Sequence, residues 1–276
     1  YNTKFFFFMD DTINFSKKYI NDVCDEIIKN KLEIFWTDCA SFRNLDEKTL
    51  KNMRSAGCIS LIFGLETGSQ RLLDYIDKGV TTEHASNCLQ LAHEQGIWTG
   101  IEIITGFPTE QKEDIKKTIS FIKSNSKYIN NAFYSGFFIA KNSLFWKYPN
   151  KYGLTNIRKL EDQEKFKYSR ISYLQYAFDE INGLSWQEKN KQINHSYSET
   201  RFGSPIIQKY LNYEQMPFLF SLYDLINNKQ QIQKINNKVM QRIYRSFILD
   251  PKHIKRYIFE IMTIKELFKK IKYFLH

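Results

Sequence analysis

Five short apolar segments recur along the first 140 residues, and helical patterns fill the intervals between them. The apolar segments span residues 4–9, 32–37, 59–65, 100–105 and 131–139. They begin 27 to 41 residues apart, which is typical of successive strand–helix units. Because the segments are nearly continuous in Phe, Ile and Leu rather than alternating, both faces of each strand are predicted to be covered. The pattern therefore indicates an α/β fold with a parallel sheet.

Capping residues and apolar stripes predict the helices between these strands. Asp46 is a suitable N-cap for one helix, and Gly57 is a natural terminator for it. The interval after the third strand has room for two helices, 70–76 and 82–95. Another helix is predicted after Pro108 and Thr109. Beyond residue 150 the strand pattern ends, and helical faces are predicted around residues 161–181, 187–199, 219–248 and 251–275.

The charge distribution divides the chain into two regions. Residues 1–150 carry 18 basic and 18 acidic side chains, whereas residues 151–276 carry 22 and 12, so the net charge of +10 lies entirely in the second region. We predict a domain over 1–150 and a mainly helical, basic region over 151–276. The excess charge fits either a solvated helical surface or an acidic partner such as nucleic acid.

Composition excludes several classes of protein. The chain is 42% hydrophobic and 25% charged, values typical of a protein that buries a core. The apolar run at 5–9 is far shorter than the roughly 20 residues of a membrane span, and no signal peptide is evident. We therefore expect a cytoplasmic protein without a membrane span. The four cysteines form no CxxC or His-spaced cluster, which predicts reduced thiols rather than disulfides or a local metal site.

Polar and glycine residues follow each predicted strand, where ligands bind in parallel βα architectures. Asp10 and Asp11 follow the first strand, and either cap the helix that begins near Phe15 or bind a divalent ion. Ser41 follows the second strand, and Glu66 ends the third, where it is either part of a site or a solvated loop carboxylate. The remaining candidates are Gly106 and Pro108 after the fourth strand and the segment 137–142 after the fifth.

Taken together, these segments resemble the radical S-adenosylmethionine (radical SAM) superfamily, and most of all its subgroup joined to a cobalamin-binding domain. The matching strings are FFFFMDDTIN, LDEKTLKNMRSAGCISLIFGLETGSQRLLDYIDKGVTTEHA and GIWTGIEIITGFPTEQKEDIKKTISFI. They cover residues 4–145 in the family's order and spacing. The resemblance implies a partial βα barrel that lacks its first strand and binds S-adenosylmethionine (SAM) and a 4Fe–4S cluster, with cobalamin as a further cofactor of the subgroup.

The resemblance also assigns roles to particular residues. The cofactor-binding residues that it implies are Asp10, Asp11, Ser41, Glu66, Ile104, Gly106, Phe138 and Ile139. The aspartates face the amino group of the methionine moiety, and Glu66 accepts hydrogen bonds from the ribose. Ile104 and Gly106 belong to the strand that packs on adenine, and the last strand, with Phe138 and Ile139, reads the adenine edge. Glu110 steadies the turn after the fourth strand.

One feature departs from the family. Its cluster ligands lie in a CxxxCxxC loop after the first strand, and this sequence has no such loop. We expect a fragment whose N-terminal portion, with the first strand and the cluster loop, is missing, and which alone neither assembles the cluster nor cleaves SAM. In the intact enzyme, the resemblance implies a 5′-deoxyadenosyl radical that modifies, or helps to methylate, an unidentified small-molecule or peptide substrate.

Two other functions remain open on the sequence. One is a tRNA-modifying methylthiotransferase of the same superfamily, which the basic second region would suit. The other is a non-catalytic βα scaffold that binds a nucleotide-like ligand. For the last predicted helix, we expect Leu267 and Ile271 to be buried and Lys269 and Lys272 to be exposed; an exposed apolar stripe would favour a membrane-surface helix instead.

Overall fold

The computed structural model describes residues 5–160 and 175–204. Its main element is a five-stranded sheet in which every neighbouring pair is parallel and the strands follow one another in chain order. The strands are β1 (Phe5–Phe7), β2 (Phe35–Ala40), β3 (Cys58–Glu66), β4 (Trp98–Thr105) and β5 (Asn131–Gly136). The sheet forms a half-barrel, which confirms the predicted partial βα barrel.

Helices connect these strands at the places where the sequence predicts them. They are α1 (Lys17–Lys29), α2 (Glu47–Ser55), α3 (Gln70–Tyr75), α4 (Thr82–Glu94) and α5 (Lys112–Ser124). The Asp46 side chain accepts a hydrogen bond from the Thr49 backbone N–H at 2.8 Å and so caps α2. Gly57 ends that helix with φ of +92°, a conformation that L side chains rarely adopt.

The largest apolar cluster joins the sheet to helices α1, α2 and α4. Trp36 of β2 is fully buried in it, and its indole N–H donates to the Ala56 carbonyl at 2.9 Å. Leu50 and Met53 of α2 and Leu89 of α4 are also fully buried. The apolar stripes of these helices pack on the sheet. This packing buries one face of the strands and explains why the strands are rich in hydrophobic residues.

A second, antiparallel sheet follows the half-barrel and corrects three predictions. It contains β6 (Ile139–Ala140), β7 (Leu154–Lys159) and β8 (Gln175–Glu180) in the order β6-β8-β7, with the short helix α6 (Leu144–Lys147) between β6 and β7. The prediction of helices without strands beyond residue 150 is therefore wrong at 154–159, and the helix predicted over 161–181 is wrong at 175–180. The fifth apolar segment is also not one strand, because β5 ends at Gly136 and Ile139 pairs with Tyr176 in the second sheet.

The last described helix, α7 (Trp186–Gly203), matches the helix predicted over 187–199. It packs against α5, β4, β5 and β8. No helix in the described parts of the chain is long and apolar enough to cross a membrane. The helices predicted over 219–248 and 251–275, including the stripe with Leu267 and Ile271, lie outside the described residues.

Candidate functional site

A cleft of about 400 Å³ lies at the carboxyl ends of β1, β2 and β3. Its volume is within the range of pockets that bind small molecules and cofactors. The residues that line it come from the loops after β1 and β2, from β3 and β4 and from the α3–α4 loop: Asp11, Thr12, Asn14, Phe15, Cys39, Ala40, Ser41, Arg43, Asn44, Ile62, Gly64, Glu66, Lys78 and Glu102. Three of the predicted site residues, Asp11, Ser41 and Glu66, thus lie together.

Glu66 forms an ion pair with Lys78 in this cleft. The Lys78 Nζ lies 2.6 Å from Glu66 Oε1, and both side chains are mostly buried. Glu66 has φ of +66° at an irregularity in the β3–β4 register, where it is the last residue of β3 and pairs with Ile103. A Cβ on Gly64 would lie 2.6 Å from Glu66 Oε1 and 3.1 Å from Lys78 Nζ. Gly64 therefore leaves the space in which the Glu66 carboxylate meets the lysine.

Asn14 joins the loops that follow β1 and β2. Its side-chain amide donates to the carbonyls of Ser41 at 2.8 Å and Arg43 at 2.7 Å, and its Oδ1 accepts the Ser41 N–H at 2.8 Å. Asn14 is fully buried, so these hydrogen bonds are shielded from water. They fix the position of Ser41 on the wall of the cleft. The sequence reasoning did not single out Asn14, although it ends the first matching string.

The aspartates after β1 do not act as helix caps. Ser16 caps α1 by accepting from Tyr19 N–H, so the capping interpretation of Asp10 and Asp11 is wrong. Both aspartates are exposed, and Asp11 lines the cleft whereas Asp10 is not among its lining residues. The Asp10 backbone N–H donates to Asp38 Oδ2 at 3.3 Å, which ties the loop to the end of β2.

Asp38 is a buried carboxyl group beneath this loop. It accepts hydrogen bonds from the backbone N–H groups of Cys39 at 2.9 Å and Asp10 at 3.3 Å. Burial nevertheless raises the pKa of Asp38 to about 6, since it disfavours the charged form more than the two N–H donors favour it. Nothing in the local sequence distinguished this residue from a solvated strand-end carboxylate.

The predicted residues of β4 and the following turn lie outside the lining of the cleft. Ile104 is partly buried against a second apolar cluster, which contains Phe107 and Ile193. Gly106 is buried with φ of +83°, and a Cβ there would lie 2.3 Å from the Cγ1 atom of Ile193. Gly106 therefore permits the close approach of α7. Its N–H donates to Glu110 Oε2 at 2.9 Å, the contact expected if Glu110 steadies the turn.

Phe138 and Ile139 do not continue β5, contrary to the interpretation that they extend the last strand of the barrel. Phe138 lies between β5 and β6 and lines a small cavity with Trp186 and Leu160. Ile139 is fully buried in β6 of the second sheet. Ser135 and Gly136 interrupt the apolar residues of the predicted segment 131–139 at the point where the sheet changes, and they were the available signal.

Lys78, Arg43 and Glu102 line the cleft but were not predicted as site residues. Lys78 lies in the IDKG stretch of the second matching string, and this was the one sequence signal that it belongs to the site. Arg43 follows Ser41 at an exposed position on the cleft. Glu102 lies within β4, where an acidic residue in an apolar strand was the only indication that it faces the interior of the half-barrel.

The cysteines are dispersed and poorly suited to hold a metal cluster. Cys24, Cys58 and Cys88 are buried, and Cys39 alone among the four lines the cleft. Burial raises the pKa of Cys24 to about 12 and that of Cys88 to about 11, which disfavours the thiolate that binds iron. No group of three or more potential ligands occurs in the part of the chain that the structure describes. These residues do not fit a 4Fe–4S cluster.

A βα half-barrel with a polar cleft at its strand ends defines a class of cofactor-binding folds, and comparison with known proteins specifies it further. Residues 1–122 match the family model of the Radical SAM superfamily. Over 123 residues the chain is 34% identical to the uncharacterized methyltransferase PH0819 of Pyrococcus horikoshii, covering 45% of this chain and 27% of that protein. By these two comparisons, residues 1–122, somewhat under half of the chain, are similar to the radical SAM superfamily.

Two further comparisons concern a second relative in sequence and a solved structure of similar fold. The chain is 30% identical over 134 residues to the anaerobic magnesium-protoporphyrin IX monomethyl ester cyclase of Rubrivivax gelatinosus, covering 48% of this chain and 24% of that one. The solved structure of the cobalamin-dependent S-adenosylmethionine radical enzyme OxsB, with aqua-cobalamin bound, matches with a TM-score of 0.51. It is 14% identical over 72% of this chain and 34% of its own, a likeness of fold. The chain spans about a quarter of the length of both curated relatives.

Proposed function

We propose that the strand-end cleft binds SAM, as part of a radical SAM enzyme that modifies a substrate still to be identified. The observation that carries this proposal is the convergence of Asp11, Ser41 and Glu66, from three different strand ends, on one cleft. All three lie within residues 1–122, which match the superfamily. Methylation is the outcome that we favour, because PH0819 is described as a methyltransferase.

The cleft contains both acidic and basic side chains, which suits SAM, a ligand that carries charges of both signs and a net positive charge. Asp11 would accept hydrogen bonds from the ammonium group of the methionine moiety, and such charge-assisted bonds are stronger than neutral ones. Glu66, oriented by Lys78 at 2.6 Å, would accept hydrogen bonds from ribose hydroxyls. Ser41, held by Asn14, offers a further donor and acceptor on the same wall.

For the described residues, the proposed role is SAM binding alone. The described cysteines do not fit the 4Fe–4S cluster, so no electron-transfer step is assigned to them. We propose that the cluster ligands are supplied by residues other than these, as in the family's CxxxCxxC loop. No described residue is assigned to cobalamin, which remains a proposal drawn from the subgroup.

Equilibrium binding of SAM to the chain tests the proposed function. Replacing Glu66 by Ala removes charge-assisted hydrogen bonds, each worth on the order of 1.5–3 kcal/mol, so affinity should fall about 10- to 150-fold. Glu47→Ala is the control, because Glu47 is an exposed residue in the first turn of α2, away from the cleft. Equal affinities of the Glu66 variant and the wild type would reject the ribose role, and failure of the wild type to bind SAM would reject the proposed function.

A second candidate is a scaffold that binds a nucleotide-like ligand without radical chemistry, and the dispersed cysteines favour it. Because the described cysteines do not fit the cluster, anaerobic reconstitution with iron and sulfide distinguishes the two candidates when the chain is joined to a segment that carries the family's CxxxCxxC loop. A 4Fe–4S absorption spectrum and release of 5′-deoxyadenosine after reduction support the enzyme. SAM binding without either result supports the scaffold.

The tRNA-modifying alternative rests on the basic region 151–276, which holds the whole net charge of +10. Binding of tRNA should then weaken steeply as salt rises, because neutralised phosphates release counterions. Salt-independent binding or no binding would remove this alternative.

A further inference from the structure

The turn between β4 and α5, residues 106–111, is held by side chains from α7, a helix far away in sequence. Lys189 Nζ donates to the Phe107 carbonyl at 2.6 Å, and the Gln192 amide donates to the Glu110 carbonyl at 2.8 Å. Both contacts join residues 82 positions apart in the chain. Two side chains of α7, about one helical turn apart, therefore donate hydrogen bonds to two carbonyls of the same short loop.

A buried ion pair adds a second connection to this turn. Lys189 Nζ lies 2.8 Å from Glu180 Oε1, with the lysine side chain 1% exposed and the glutamate 11% exposed. Glu180 Oε1 also accepts the Thr109 backbone N–H at 3.1 Å. Glu180 ends β8, so the second sheet and α7 meet the turn through one pair of charges.

The turn has a backbone conformation that needs such support. Thr109 has φ of +64°, which is unfavourable for a residue with a branched side chain. Arg71 donates from Nη2 to the Thr109 carbonyl at 2.8 Å and from Nη1 to its hydroxyl at 3.2 Å. The N–H, the carbonyl and the hydroxyl of Thr109 are thus all bound by charged side chains from β8 and α3.

A purely structural role would not require a buried charge here. Replacing a buried ion pair by well-packed apolar residues is often neutral or stabilising, because each buried charge loses its hydration. A directional donor such as the Lys189 ammonium, by contrast, holds the Phe107 carbonyl, the Gln192 amide oxygen and the Glu180 carboxylate at once. The pair is therefore better suited to fixing a geometry than to adding stability.

We propose that Lys189 and Glu180 are positioning residues for the proposed SAM site. They fix the turn at 106–111 and, through it, the end of β4, the strand whose Glu102 lines the cleft. Both positioning residues lie outside 1–122, so the end of β4 is held in place by a part of the chain that the family match does not include. The inference rests on the proposed function, since it concerns the β4 side of the proposed SAM site.

Amide hydrogen exchange and SAM binding, measured on the full chain, test the proposal. Lys189→Met should reduce exchange protection of residues 106–111 by about tenfold or more, with protection of β2 and β3 unchanged, and should weaken SAM binding about five-fold or more. Lys189→Arg should restore part of both, because it keeps the charge and the donors. Lys191→Met is the matched control, since Lys191 is an exposed residue of the same helix.

Several results would overturn the proposal. Unchanged protection of 106–111 in Lys189→Met would do so, as would an equal loss of protection throughout the half-barrel with no restoration by arginine. If Lys189→Met does not fold, Glu180→Gln provides the same two measurements, because it removes the charge and keeps an oxygen that can accept hydrogen bonds. The exchange result needs no SAM, so a wild type that fails to bind SAM would reject the proposed function while the exchange measurement still decides whether the turn is held.

Discussion

Replacing Asp38 by Asn should stabilise the protein at neutral pH and remove one step from its pH dependence. Asp38 is fully buried at the end of β2, and its carboxyl group accepts hydrogen bonds from the backbone N–H groups of Cys39 and Asp10. Burial raises its pKa from 3.8 to about 6. At pH 7.5 the folded protein therefore carries a buried negative charge that the unfolded chain would expose to water.

The size of the effect follows from the two pKa values. Each unit of difference corresponds to about 1.4 kcal/mol, so the shift from 3.8 to about 6 corresponds to about 3 kcal/mol in the free energy of unfolding. Because the folded pKa is raised, this stabilisation is fully present below pH 3.8 and is lost as the pH rises through 6. An asparagine keeps the accepting oxygen but adds an NH₂ group to satisfy, so we expect a gain of roughly 1–3 kcal/mol at pH 7.5.

Urea unfolding of both proteins between pH 4 and 7.5 measures this effect. The advantage of Asp38→Asn should be greatest at pH 7.5 and should shrink steadily toward pH 4. Asp74→Asn is the matched control, since it makes the same substitution at an exposed position on α3. A difference between Asp38→Asn and wild type that is the same at every pH would refute the reasoning, because it would show that Asp38 has the same pKa in both states.

Two further predictions concern the cleft and the β4 turn. Lys78→Met should weaken SAM binding roughly two- to five-fold, because it removes the ion-pair partner that orients Glu66. Equilibrium binding measures this effect, and equal affinities of the variant and the wild type at low salt would contradict it. Gly106→Ala should lower the free energy of unfolding by roughly 2–4 kcal/mol, because its Cβ would lie 2.3 Å from Ile193 at φ of +83°. Gly153→Ala is its control, with φ of +63° but no atom within 4 Å of the added Cβ; equal losses in urea unfolding would contradict the steric argument.

The half-barrel was predictable because its signals are local. The parallel strands are rich in apolar residues, and helices have local start and stop signals, such as Asp46 before α2 and Gly57 after it. The second sheet has no equivalent signal. β8 pairs with β6 and β7 through antiparallel contacts between residues distant in sequence, and its aromatic and acidic residues fit a helical face equally well. The change of sheet after Gly136 falls inside one predicted strand segment, where Ser135 and Gly136 were its local sign.

The site was predictable only where a residue of a motif stands at the end of a strand and so lines the cleft. Asp11, Ser41 and Glu66 follow strands, so their meeting in one cleft follows from the topology of a parallel sheet. The contacts that position them do not follow from it. The Lys78–Glu66 pair spans a helix, and the contacts of Lys189 with the β4 turn span 82 residues, so neither leaves a pattern in the local sequence.

The most direct test of the central claim is hydrogen exchange of the chain with and without saturating SAM. If the strand-end cleft is the SAM site, SAM should slow exchange at residues 11–15, 39–44 and 64–68, where the loops after β1, β2 and β3 line it. The outer groove between α1 and α2, which includes Lys48 and Asn52, should exchange at the same rate in both samples. Protection confined to that groove, or no protection at the three strand ends, would contradict the assignment of the cleft.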